Sequence, residues 1–132
     1  MRGDSWKRAY VYEVLQDEGR VPVCLRLVHE GRLLDSLALA ELEEVALRFD
    51  ASLGLWQWLL VLRGDDKVRA LPHDDALKGH AQLSATLRAL PGFSHRAYAE
   101  TLTSPWRRGN DSRAQLLWSR ASTSTSTSTS TS

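Results

Sequence analysis

The chain has 132 residues, 42% of them hydrophobic, which is enough for one domain with a real core and leaves little room for a second. Seventeen basic and sixteen acidic side chains nearly cancel, which argues against a strong overall attraction to nucleic acid or to an anionic membrane. The single cysteine excludes an internal disulfide, and no apolar run reaches the roughly 18 residues of a membrane span. We therefore expect a cytoplasmic protein with no nucleic-acid partner and no membrane span.

The first third of the chain has the alternating pattern of an antiparallel meander. Residues 6–15 are dense in aromatic and β-branched side chains, and residues 21–29 alternate in the same way after an Asp-Glu-Gly turn. A short third strand is expected over residues 32–37, after the turn at Gly31. Pro22 favours an edge position or an entry bend for the second strand.

Residues 35–49 allow two interpretations. Ala, Leu and Glu in quick succession favour a helix with an Asp or Ser cap. The alternative is a turn around residues 40–43 followed by a strand, because residues 45–49 (VALRF) alternate and are followed by a hairpin-like loop. We favour the strand.

Residues 56–72 (WQWLLVLRGDDKVRALP) predict a hairpin at the centre of the fold. Alternation places Trp56 and Trp58 on one face of the first strand, and Gly64 begins a polar turn. The second strand alternates charged and apolar residues until Pro72, which lacks an N–H donor. We expect Trp58 to lie in the core.

The pattern becomes helical after Pro72. Asp74 or Asp75 can cap a helix that runs to about Leu90, where Pro-Gly follows. A second helix is predicted over residues 95–103, with Ser94 as its N-cap, and a last strand over residues 114–120. The low-complexity Ser/Thr tail, residues 121–132, should be disordered.

These elements predict an α+β fold. A curved antiparallel sheet of about six to seven strands would have a helical hairpin, residues 74–103, packed against it in a single domain over residues 1–120.

Three runs of sequence in this order resemble small bacterial proteins with a pleckstrin-homology-like (PH-like) split barrel: LALAELEEVALRF, WQWLLVLRGDDKVRALP and RALPGFSHRAYAETL. The resemblance covers roughly residues 6–120. It implies a curved sheet closed by a helix and a role in binding rather than catalysis. We expect no cofactor. Phosphoinositide binding is not carried over, because Asp17 and Glu18 occupy the first hairpin turn, where lipid-binding relatives have basic residues.

The richest group of metal-capable side chains is His73, Asp74, Asp75 and His80. Histidine and carboxylate can bind a divalent ion, although a site needs three or four converging ligands. The alternative interpretation is a helix N-terminus, where carboxylates cap free N–H groups.

A second candidate is the basic loop that contains Trp106, Arg107, Arg108 and Arg113. Arginine beside an aromatic ring can bind an acidic partner, while a solvated loop is the plain alternative. Our main hypothesis is a non-enzymatic protein-interaction module, such as an adaptor or immunity-type protein that binds a bacterial effector. The alternative is a small metal-dependent enzyme or ligand-binding protein that uses the His/Asp group, and a weak homo-oligomer is left open.

Overall fold

The computed structural model of the chain describes residues 10–52, 54–64, 67–103 and 114–120. These residues form an α+β fold with seven strands, two α-helices and one 3₁₀ turn. The strands are β1 (Tyr10–Gln16), β2 (Pro22–His29), β3 (Arg32–Ala38), β4 (Leu42–Asp50), β5 (Leu55–Leu62), β6 (Arg69–His73) and β7 (Gln115–Ser119). The helices are α1 (His80–Arg88) and α2 (His95–Thr103), and the 3₁₀ turn is Leu39–Glu41. None of the described helices is long and apolar enough to cross a membrane.

The described strands form two antiparallel sheets, one with the order β1-β2-β3 and one with the order β6-β5-β4-β7. The chain divides into two compact units, Met1–Glu41 with Asp74–Leu87 and Leu42–His73 with Arg88–Ser132. The expectation of one curved sheet with six or seven strands is therefore wrong: neither sheet has more than four strands, and neither closes. The chain leaves the extended conformation at Leu39–Glu41, which ends the first meander before β4 begins.

The three-stranded unit buries one face of its sheet. β1 pairs with β2, and β2 with β3, and the alternation directs Tyr12, Leu25, Leu27 and Leu37 to the buried side. The buried residues of α1 recur at helical spacing: His80, Leu83, Ser84 and Leu87.

The four-stranded unit has the double-tryptophan strand at its centre. β5 lies between β4 and β6 and is buried over much of both faces, with Trp58 0% exposed. The predicted hairpin is confirmed, and so is the burial of Trp58. Pro72 lies on β6, an edge strand, which is where proline is tolerated in a sheet.

Two local predictions have different outcomes. Residues 42–50 form β4, so the strand interpretation of residues 45–49 is confirmed and the helical one is wrong. α1 begins at His80 rather than at Asp74 or Asp75, because the Asp74 carboxylate accepts from the Ala76 N–H in a turn. Both predicted helices are present. α1, apart from its last residue Arg88, belongs to the first unit, and α2 belongs to the second.

α2 begins as predicted. The Ser94 hydroxyl accepts from the backbone N–H of Ala97 at 3.2 Å, which is the N-cap contact. The tail, residues 121–132, and the start of the first predicted strand, residues 6–9, lie outside the described residues.

Candidate functional site

The basic loop proposed for partner binding cannot be compared with the structure. Trp106, Arg107, Arg108 and Arg113 all lie outside the described residues. Their role therefore stays a prediction.

His73 lies in an aromatic cluster of the four-stranded unit. Its Nε2 is 2.8 Å from the Tyr98 hydroxyl oxygen, and its ring centroid is 5.1 Å from that of Trp58. Tyr98 stacks on Trp58 with the two rings 9° from parallel and 5.6 Å apart. The Arg88 guanidinium lies 5.7 Å from the Tyr98 ring centroid, close enough for a cation–π contact. His73 therefore contributes to the packing of α2 residue Tyr98 on β5.

His80 has a different set of neighbours, in the three-stranded unit. Its side chain is fully buried, and its Nδ1 lies 2.8 Å from the carboxylate of Asp75, whose side chain is 85% exposed. The Tyr12 ring centroid is 5.9 Å from that of His80. This arrangement holds the first turn of α1 to the segment before it.

The structure divides the predicted metal group between these two arrangements. Asp74 uses its carboxylate in the turn to Ala76, Asp75 contacts His80, and His73 contacts Tyr98. Within the described ranges, no group of three or more His, Cys, Asp or Glu residues is placed to hold a metal ion.

The segment before α1 is attached directly to strand β1. The Tyr12 N–H donates to the Lys78 carbonyl oxygen at 2.8 Å, and Val11 and Lys78 form a parallel bridge. Gly79 follows with a φ of +84°, and a Cβ at this position would overlap the Tyr12 carbonyl. Only glycine satisfies both conditions without strain. We call Lys78 and Gly79 the β1 clip.

Sequence reasoning missed the β1 clip. Its only local signal is a glycine between Lys78 and His80, which also fits an ordinary loop. The β1 partner of this glycine is more than sixty positions away along the chain, so no short-range pattern indicates the contact.

A groove of about 550 Å³ runs beside β1. It is lined by one stretch of the strand, the β1 clip and one residue of α1: Val11, Tyr12, Glu13, Val14, Leu15, Lys78, Gly79 and Gln82. Burial raises the pKa of the Tyr12 hydroxyl above its ordinary value of 10.0. Tyr12 is therefore neutral at physiological pH and supplies no charge to the groove.

The three-stranded sheet has a second face, on the side opposite the buried Tyr12, Leu25 and Leu27, which we call the outer face. Most of its residues are apolar. Alternation and register place six apolar residues on it: Val11, Leu15, Cys24, Val28, Leu33 and Ala38. At its centre, Arg26 Nε lies 3.4 Å from a carboxylate oxygen of Glu13 on the neighbouring strand. Leu33 is 53% exposed, and Leu34, the extra residue at the β3 bulge, is 52% exposed.

Searches against protein-family models, curated proteins and solved structures find no match to this chain. The PH-like resemblance therefore stays a prediction. Functional inference depends on the surfaces described above.

Proposed function

We propose that this chain is a non-enzymatic protein-interaction module of the adaptor or immunity type, and that the outer face is its main binding surface. The observation that carries the proposal is the distribution of exposed large hydrophobic side chains. In the described part of the chain, five of the seven belong to the three-stranded unit: Leu15, Val21, Val23, Leu33 and Leu34. Of these five, Leu15 and Leu33 lie on the outer face, and Leu34 lies at the bulge next to Leu33. Exposed apolar side chains on one sheet face are typical of sites that bind other proteins.

The centre of the outer face offers polar specificity. Arg26 and Glu13 lie between the apolar residues, and Arg26 Nε is buried without a hydrogen bond although Glu13 is 3.4 Å away. Arginine is enriched at protein interfaces because its planar guanidinium presents several donors on a largely apolar stem. A partner with an acidic or carbonyl group at this point would contact the part of the Arg26 side chain that is exposed, beside its ion pair with Glu13.

The test uses a double variant of the outer face. Leu33→Asp with Leu34→Asp places two charges where the proposal requires apolar contact, on an edge strand where both side chains are already half exposed. A partner captured from native cells by the unmodified protein and then purified should bind the variant at least tenfold more weakly by calorimetry, which corresponds to about 1.4 kcal/mol.

The matched control is Val68→Asp in the four-stranded unit, since Val68 is 54% exposed and the change in charge is of the same kind. The control should bind the partner as the unmodified protein does. Equal affinity of the unmodified protein and the Leu33/Leu34 double variant, with circular dichroism unchanged, would remove the outer face from the proposal.

A further inference from the structure

The edges of the two sheets differ in whether their outward-facing backbone N–H and C=O groups are available to pair with another strand. On β3, the Ser36 N–H donates to the Asp35 carboxylate at 2.9 Å, and a bulge interrupts the register opposite Leu27 and Val28. Bulges and side chains that occupy edge N–H groups prevent another strand from pairing. β3 is therefore a protected edge.

Both edges of the four-stranded sheet are protected as well. On β6, Pro72 has no N–H to offer to an incoming strand. On β7, the Ser94 N–H donates to the Leu117 carbonyl at 2.9 Å, and the Trp118 indole N–H donates to the Pro91 carbonyl at 2.7 Å. The start of α2 thus covers this edge.

The edge of β1 is covered only at its beginning. The outward N–H of Tyr12 donates to Lys78, after which the positive φ of Gly79 turns the chain away from the strand. Val14 lies two residues after Tyr12 in the strand, so its N–H and C=O also point outward, away from β2. No hydrogen bond from the described part of the chain reaches the outward N–H of Val14.

The open end of β1 lies beside the groove, and charged residues lie at one end of the groove and in the turn beyond β1. Lys78 is exposed at the end nearer Val11. At the other end, β1 leads into the exposed turn that holds Asp17, Glu18 and Arg20. The Asp17 carboxylate accepts from the N–H groups of Gly19 and Val21, so the turn is acidic by one charge overall and Glu18 is its projecting carboxylate.

We propose that this edge binds an extended segment of a partner protein, which adds to the three-stranded sheet as a strand antiparallel to β1. The segment has alternating apolar side chains that contact the groove, a basic residue opposite Glu18 and an acidic residue opposite Lys78. Main-chain hydrogen bonds to Val14 supply affinity, and the apolar and charged positions supply specificity. This inference names the binding mode of the proposed interaction module and rests on that function.

The test uses a synthetic peptide, KVTVTVE, capped at both ends and titrated into the isotope-labelled protein. The bound peptide should shift the backbone amides of Val14, Leu15 and Lys78 in NMR spectra and slow hydrogen exchange at Val14 several-fold. A peptide of the same sequence with N-methyl groups on its central residues keeps the side chains and loses main-chain donors. It should bind at least about tenfold more weakly than the unmethylated peptide.

Charge is tested with the reversed peptide EVTVTVK and a protein variant. Antiparallel docking predicts weaker binding of the reversed peptide to the unmodified protein, because its basic residue then lies at Lys78. Lys78→Glu should weaken binding of KVTVTVE by several-fold, while the matched control Lys67→Glu, in the other unit, should leave it unchanged. The backbone contact between Lys78 and Tyr12 does not depend on the lysine side chain, so the fold is retained.

The results separate this inference from the proposed function. Loss of partner binding in the Leu33/Leu34 double variant, with no peptide effect at Val14, would keep the module and overturn strand addition. Equal binding of the N-methylated peptide would also overturn it. Concentration-dependent shifts at Val14 without peptide would assign the edge to a second copy of this chain and overturn the peptide proposal.

Discussion

The two sheets of this protein differ in how completely their apolar faces and their edges are covered. The four-stranded sheet buries much of both faces of β5, and each of its edges is protected by a proline or by the start of a helix. The three-stranded sheet buries one face, exposes apolar residues on the other and leaves part of one edge without a partner in the described residues. Burial on both faces provides stability, whereas an apolar surface and an open edge are features that a partner can use.

The largest expected effect is on the four-stranded unit. Trp58→Ala removes a fully buried side chain that stacks on Tyr98, and it should lower the free energy of unfolding by about 3–5 kcal/mol. Urea denaturation followed by circular dichroism measures this loss without depending on tryptophan fluorescence.

Trp56→Ala is the matched control for this comparison. Trp56 is half-buried and makes an edge contact with Phe49, so its loss should be about half as large. Equal losses in the two variants would contradict the view that β5 is anchored chiefly by Trp58.

The second prediction concerns the β1 clip. Gly79→Ala would force both a positive φ on alanine and an overlap with the Tyr12 carbonyl, so it should cost roughly 2–4 kcal/mol. Gly54→Ala, at φ +69° with open space around it, should cost only about 1–2 kcal/mol. Hydrogen exchange should show the loss of protection at Tyr12 in the Gly79 variant and not in the Gly54 variant. An intact Tyr12 amide in Gly79→Ala would mean that the clip tolerates a side chain.

Strong local patterns predicted much of the fold. The run at residues 55–62 is apolar enough for a strand buried on both faces, and Pro72 fits an edge, so the central hairpin follows from residue type alone. Ser94 was recognisable as a helix cap because its position before α2 has one local explanation. Asp74 had two, since the same carboxylate can cap a helix or a turn, and here it caps the turn.

The division into two sheets and the candidate site could not be predicted in this way. Whether β3 continues to β4 in one sheet depends on pairing between distant residues, and the short 3₁₀ turn between them has the composition of a helix. An open edge is a property of the ladder rather than of the residues in it. Nothing about the side chain of Val14 shows that its N–H faces outward beside a groove.

The third prediction uses the buried hydroxyl of the three-stranded unit. Burial raises the pKa of Tyr12 above 10.0, so above pH 10 the unfolded chain releases this proton while the folded chain keeps it. The free energy of unfolding should therefore fall as pH rises above 10, by up to about 1.4 kcal/mol per pH unit from this group, and the contribution is fully present below pH 10. Tyr12→Phe should flatten this part of the profile, measured by urea denaturation at several pH values. An equal flattening in Tyr10→Phe would assign the effect to tyrosines in general.

The smallest effect tests how the β7 edge is protected. Ser94→Ala removes the cap of α2 but keeps the backbone N–H that donates to Leu117, so it should cost only about 1 kcal/mol. Ser94→Gly should cost a few tenths of that amount, because glycine is itself an acceptable N-cap. Hydrogen exchange in β7 should remain slow in both variants, since the edge bond persists. Fast exchange at β7 in Ser94→Ala alone would show that the side-chain cap, rather than the backbone bond, holds α2 over this edge, and the contrast with the open edge of β1 would then depend on one hydroxyl.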